Sequence, residues 1–138
     1  MDSLGLHRDY LLAEWQSAQA APLSARKAML VAGLVDAYVD RLFVDDPAAE
    51  DVLEFRARMG RLFPALGLVM ALCSQGQGVR LVTEAVAVPL EAYGALTVED
   101  FMVSLYNDHS IQRLRLVLPD GERRDMLEVL GEAVKALG

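Results

Sequence analysis

A single cysteine, Cys73, stands in a chain of 138 residues, so no internal disulfide can form. The fold must rest on a buried apolar core, which a chain of this length can build without covalent staples. One lone thiol also fits a reducing, cytoplasmic setting. Histidine is nearly absent: His7 and His109 are the only two. There is no H-x-x-x-H, no H-E-x-x-H and no cysteine pair, so neither a metal nor a cofactor is expected. A site from His7, Asp9, Asp108 and His109 would require the first helix to meet the connection after Tyr106, and nothing in the sequence prompts that.

Other absences exclude further classes. No apolar run approaches the ~18 residues of a membrane span. The longest, Pro64 to Cys73, is much shorter. Met1 to Asp9 holds neither a basic region nor an unbroken apolar one, so no signal peptide is expected. Basic residues are scarce, 13 against 20 acidic, and the net charge of −7 disfavours nucleic acid and anionic membranes through plain repulsion. No strand–Gly-x-Ser-x-Gly–helix elbow occurs. Gly76-Gln77-Gly78 follows a helix and is not succeeded by G-K-[ST], so it reads as a linker, not a phosphate loop. There is no internal repeat and no low-complexity tract, which leaves one domain over residues 1–138.

What is present is apolar. The hydrophobic fraction is 54% and the mean hydropathy +0.26, more than one small core calls for. Part of that surface is expected to be covered by a partner, a second copy of the chain or another protein.

The helices announce themselves by their caps and spacing. Ser3 can cap a first helix to about Ala20, with Leu4, Leu11, Trp15 and Ala18 on one face. Ser24 can cap a second, Ala25 to about Phe43. That one is apolar nearly all round from Ala28 to Val35, which predicts a central position. Asp46-Pro47 reads as the start of a third, which keeps helical spacing through Val52, Phe55, Met59, Leu62, Leu66 and Met70. Pro64 should kink it or split it into two abutting helices above Gly60. Asp36, Asp40, Asp45, Asp46, Glu50, Asp51 and Glu54 make an acidic segment, and Arg56, Arg58 and Arg61 follow it. This reads as a solvated corner or, more sharply, a docking face for a basic partner.

Thr97 can cap a short helix whose Val98, Phe101, Met102 and Leu105 fall at i, i+3, i+4 and i+7, one apolar stripe that Tyr106 extends. Asn107 can end it. Val79 to Val88 is rich in β-branched residues and reads as a strand. Ile111 to Leu118 alternates Leu114, Leu116 and Leu118 with Arg113, Arg115 and Val117, a half-buried strand. A strand–helix–strand order predicts that the two are parallel through a right-handed crossover. Pro119-Asp120-Gly121 reads as a turn, and a last helix follows from about Glu122 to Leu137. The expected fold is α+β, predominantly helical, with about five helices and a small two-stranded sheet. An all-α bundle is the alternative.

Two clusters are candidate sites. Tyr106, Asp108, His109 and Ser110 hold the residue types of a hydrolase centre, but neighbours in sequence rarely point into a nucleophile–base–orienter chain. Read plainly, they are turn residues on a connection. Arg113, Arg115, Arg123 and Arg124 gather around the last turn and could grip a phosphate or carboxylate. Read plainly, they pair with Glu84, Glu122, Asp125 and Glu128. Cys73 reads as a small buried hydrophobe. The expected function is therefore a non-catalytic cytoplasmic interaction or accessory protein, homodimeric. The alternative is a small enzyme or ligand-binding protein using Tyr106–Ser110 with the nearby arginines.

Overall fold

The computed structural model describes residues 3–45, 50–74, 76–88, 94–106 and 110–138. In chain order these form α1 (Ser3–Ala20), α2 (Ala25–Asp45), α3 (Val52–Leu62), α4 (Pro64–Cys73), β1 (Arg80–Ala87), α5 (Val98–Tyr106), β2 (Ser110–Val117), β3 (Arg123–Asp125) and α6 (Met126–Ala136). The fold is α+β and mostly helical.

Most helices start at side-chain caps. Ser24 Oγ accepts from the amide of Lys27 at 3.2 Å, and Asp51 from that of Glu54 at 2.8 Å. Thr97 Oγ1 accepts from the amide of Asp100 at 3.1 Å, and Asp125 from that of Glu128 at 3.0 Å. Each satisfies an amide that the first helical turn leaves unpaired. Asp46 and Pro47 lie outside the described residues. The third helix starts at Val52 instead, capped by Asp51.

Pro64 splits the predicted third helix into two. Phe63, extended at φ −131°, closes α3 and opens α4, and Pro64 occupies the first turn where it forfeits no hydrogen bond. Gly60 has a different use from the one expected. A Cβ on Gly67 would lie 3.2 Å from the Gly60 carbonyl oxygen, so the two glycines let the backbones of α3 and α4 touch.

The core lies between α2, α4, α6 and one face of the sheet. Val31, Ala32, Val35 and Val39 of α2, Leu66 and Val69 of α4, Val129, Leu130 and Ala133 of α6 and Leu116 of β2 are all sealed from solvent. The second helix is central but not enclosed: Met29 and Leu30 remain exposed on its outer side. Gly33 sits on that side too, with nothing within 4 Å of where a Cβ would be. Gly33→Ala should therefore stabilise the protein by about 1 kcal/mol, the helix-propensity difference. Urea unfolding checks it; a loss of stability would mean that something packs on Gly33.

The sheet departs from expectation in two ways. It has three strands in the order β1-β2-β3, and both pairings are antiparallel. Arg80 lies opposite Val117 and Ala87 opposite Ser110, so the chain leaves β1 and re-enters β2 at the same end. A nine-residue helix spans only about 13 Å, roughly half the length of an eight-residue strand. The connection carrying α5 is thus a long hairpin excursion and not a crossover. The third strand comes from residues assigned to the last helix. Around Gly121 (φ 87°) the chain reverses, the Leu118 amide donates to the Glu122 carbonyl at 2.8 Å, and Arg123–Asp125 pairs with β2 before α6 begins.

Directly opposed residues share a face of the sheet. Leu81 with Leu114 and Leu116 lines the helix-packed face of the core, on which Thr83 is left exposed; Val82, Glu84 and Val86 with Ile111, Arg113 and Arg115 line the other, where α5 meets Arg113. The outer edge of β1 has no strand beside it among the described residues.

Candidate functional site

The Tyr106–Ser110 connection is only partly described. Tyr106 is the last residue of α5 and Ser110 the first of β2, half-buried. Asn107, Asp108 and His109 lie outside the described residues.

Each of the four arginines meets a carboxylate. Arg113 spans both oxygens of Asp100 on α5, at 2.8 and 3.4 Å. Arg115 and Arg123 share Glu84 of β1, at 3.3 and 2.8 Å. Arg124 lies opposite Leu116, on the helix-packed face, and reaches Glu132 of α6 at 3.9 Å. The plain reading of ion pairing holds, with Glu84 as foreseen. Asp100 and Glu132 replace the expected Glu122, Asp125 and Glu128. The turn brings Arg123 alongside Arg115 but sends Arg124 to the opposite face, because successive strand residues alternate.

The acidic segment and the arginines after it also answer one another. Arg56 bridges Asp36 and Asp40 of α2, and Arg58 pairs with Glu50. Burial works against the Arg56 charge, but hydrogen bonds and charges from the two aspartates outweigh it and raise its pKa. Nearby, burial first and the Asp36 charge second push the Cys73 thiol up to about 11, against a small opposing effect of Arg56. The thiolate is the reactive form. Labelling of Cys73 by a disulfide reagent at pH 8 should be about a hundredfold slower than in the urea-unfolded chain, as a two-unit shift requires. Equal rates would place the thiol in open solvent. His7 is likewise committed to the fold. It lies 9% exposed with Nε2 2.8 Å from the Leu34 carbonyl oxygen and its ring edge-on to Tyr38. Among the described residues no group of three His, Cys, Asp or Glu side chains is placed to share a metal ion.

The unusual feature is α5. Its apolar stripe is as the spacing predicts, but it faces outward. Val98 is 82% exposed, Leu105 51%, Met102 48% and Phe101 41%. The inward side is polar: Ser104 is completely buried, its hydroxyl donating to the Phe101 carbonyl at 2.8 Å, and Asp100 takes the Arg113 pair. Beside the N-terminus of α5 runs a cleft of about 590 Å³, walled by Pro22 and Leu23 of the α1–α2 turn and by Thr97 and Glu99. The sequence shows the stripe and the cap; it carries no signal for the direction in which the stripe points.

The chain matches no family model, no curated protein and no solved structure. No helix among the described residues is long and apolar enough to cross a membrane.

Proposed function

We propose that this chain is a non-catalytic, cytoplasmic protein-interaction or accessory protein that works as a homodimer and offers α5 to another protein. The observation that carries the reading is the outward stripe of Val98, Phe101, Met102 and Leu105. A helix of nine residues is not stable in water alone. An ordinary surface helix turns such a stripe inward. Here the stripe forms a patch on the order of a few hundred Å², the size that marks binding surfaces on monomers. At about 25 cal/mol per Å², covering it is worth several kcal/mol before the costs of association. Self-association is supported separately by the outer edge of β1, which has no strand beside it among the described residues.

Two measurements test this. Light scattering at micromolar concentration should give about twice the 15.1 kDa of one chain; a mass of one chain, unchanged on concentration, refutes the homodimer. Capture from the native host with wild type and with the Val98→Ser, Met102→Ser double variant tests α5. A protein held by the first and lost by the second is the expected result. Equal retention by both would remove α5 from the reading.

A further inference from the structure

We infer that two copies of the chain join along β1, antiparallel about a twofold axis at Val82, to make one six-stranded sheet. The inference rests on the homodimer reading and adds the surface and the register.

Among the described residues no strand lies on the outer edge of β1. Natural edges are usually blunted by proline, lysine, a bulge or a very short strand. Arg80–Ala87 has none of these: it contains no proline and no lysine, and its register with β2 runs without interruption over eight residues. Its outward N–H and C=O groups are a template for another strand.

The charges on β1 select a second copy as that strand. Two charged residues, Arg80 and Glu84, lie on it, four apart and on one face. A twofold axis perpendicular to the sheet keeps each residue on its own face, so the register is set by which residue sits on the axis. With Glu84 on the axis, two carboxylates would oppose each other. With Thr83 there, Glu84 would face Val82 and Arg80 would face Val86. With Leu81 there, Glu84 would face Gly78, which at φ 76° leaves the extended conformation. With Val82 on the axis, Arg80 of each copy faces Glu84 of the other, twice over, and the valines meet at the centre. Opposite charges directly across a strand pair stabilise it and like charges oppose it.

Both groups are available. Arg80 is exposed, and its side chain has no hydrogen bond or ion pair among the described residues. Glu84 accepts from Arg115 on Oε1 and from Arg123 on Oε2, one each. A carboxylate offers about four acceptor positions, so each oxygen retains one.

Register-specific cross-linking tests the proposal. On a Cys73→Ala background, Val82→Cys places two thiols across the axis, where opposed Cα atoms of about 4.5–5.5 Å suit a disulfide. Mild oxidation should convert it to a covalent dimer. Val86→Cys, on the same strand and face, would hold its two thiols roughly 27 Å apart and should stay uncross-linked. Independently, the exposed substitution Arg80→Glu should weaken dimerisation by at least about tenfold, since it replaces two attractive pairs by two repulsive ones. If wild type is a monomer at every concentration, the homodimer reading and this inference both fail. A dimer indifferent to Arg80→Glu, with no cross-link at 82, leaves the homodimer standing and overturns the β1 edge. Cross-linking at 86 but not at 82 overturns the register.

Discussion

Leu66→Ala should cost about 3 kcal/mol of stability and lower the thermal midpoint by roughly 10 °C. Leu66 is fully buried at the start of α4 and belongs to the cluster that joins α2, α4, α6 and β2. Truncation removes the transfer free energy of its side chain and leaves a cavity between helices whose backbones already touch at Gly60 and Gly67. That contact limits how far α4 can collapse into the void, which places the cost in the middle of the range for such changes. Leu62→Ala, one turn earlier in the same apolar series, is the internal control. Leu62 is 59% exposed, so its loss should change stability by less than about 0.5 kcal/mol. Denaturant unfolding of the pair settles it: equal effects would mean that the elbow at Phe63 does not turn Leu62 away from the core.

Ser104→Asp should undock α5 and leave the rest folded. Ser104 is the innermost side chain of that helix, and its hydroxyl is satisfied within its own turn by the Phe101 carbonyl. A carboxylate at this position would be buried without a partner, at a cost of about 3 kcal/mol or more. A nine-residue helix cannot absorb that from its own stability. Amide exchange in residues 101–106 should then speed up about a hundredfold at pH 7, while Val35, Val69 and Leu130 keep their protection. Unchanged exchange in α5 would show that the helix is not seated on its Ser104 side. The variant also separates surface from scaffold, because loss of partner capture alongside an intact core assigns the interaction to α5.

Local features of the chain were legible where a short signal decides. The caps at Ser24 and Thr97, the break at Pro64 and the turn at Pro119–Gly121 each depend on residues within one turn of chain. The two long strands also lie where β-branched content and alternation place them, with ends within two residues. The Asp125-x-x-Glu128 capping pair was present in the sequence as well, and would have moved the start of α6 to Met126 and freed 123–125 for a strand. The arginine cluster was legible in composition only. Which carboxylate each arginine takes follows from register, and a shift of one residue exchanges the faces.

The sequence by itself determined the class, the number of long apolar segments and the bounds of the first two helices, α5 and the two long strands to within about two residues, because propensity, capping and turn chemistry act over a few residues. Tertiary structure decided the direction of β2, the addition of β3 and the outward orientation of α5. These depend on groups well separated in the chain: Arg80 against Val117, Arg115 against Asp125, Asp100 against Arg113. An amphipathic stripe records that a helix has two unlike faces. Which of them meets solvent is settled by what the neighbouring strand presents, and β2 presents Arg113.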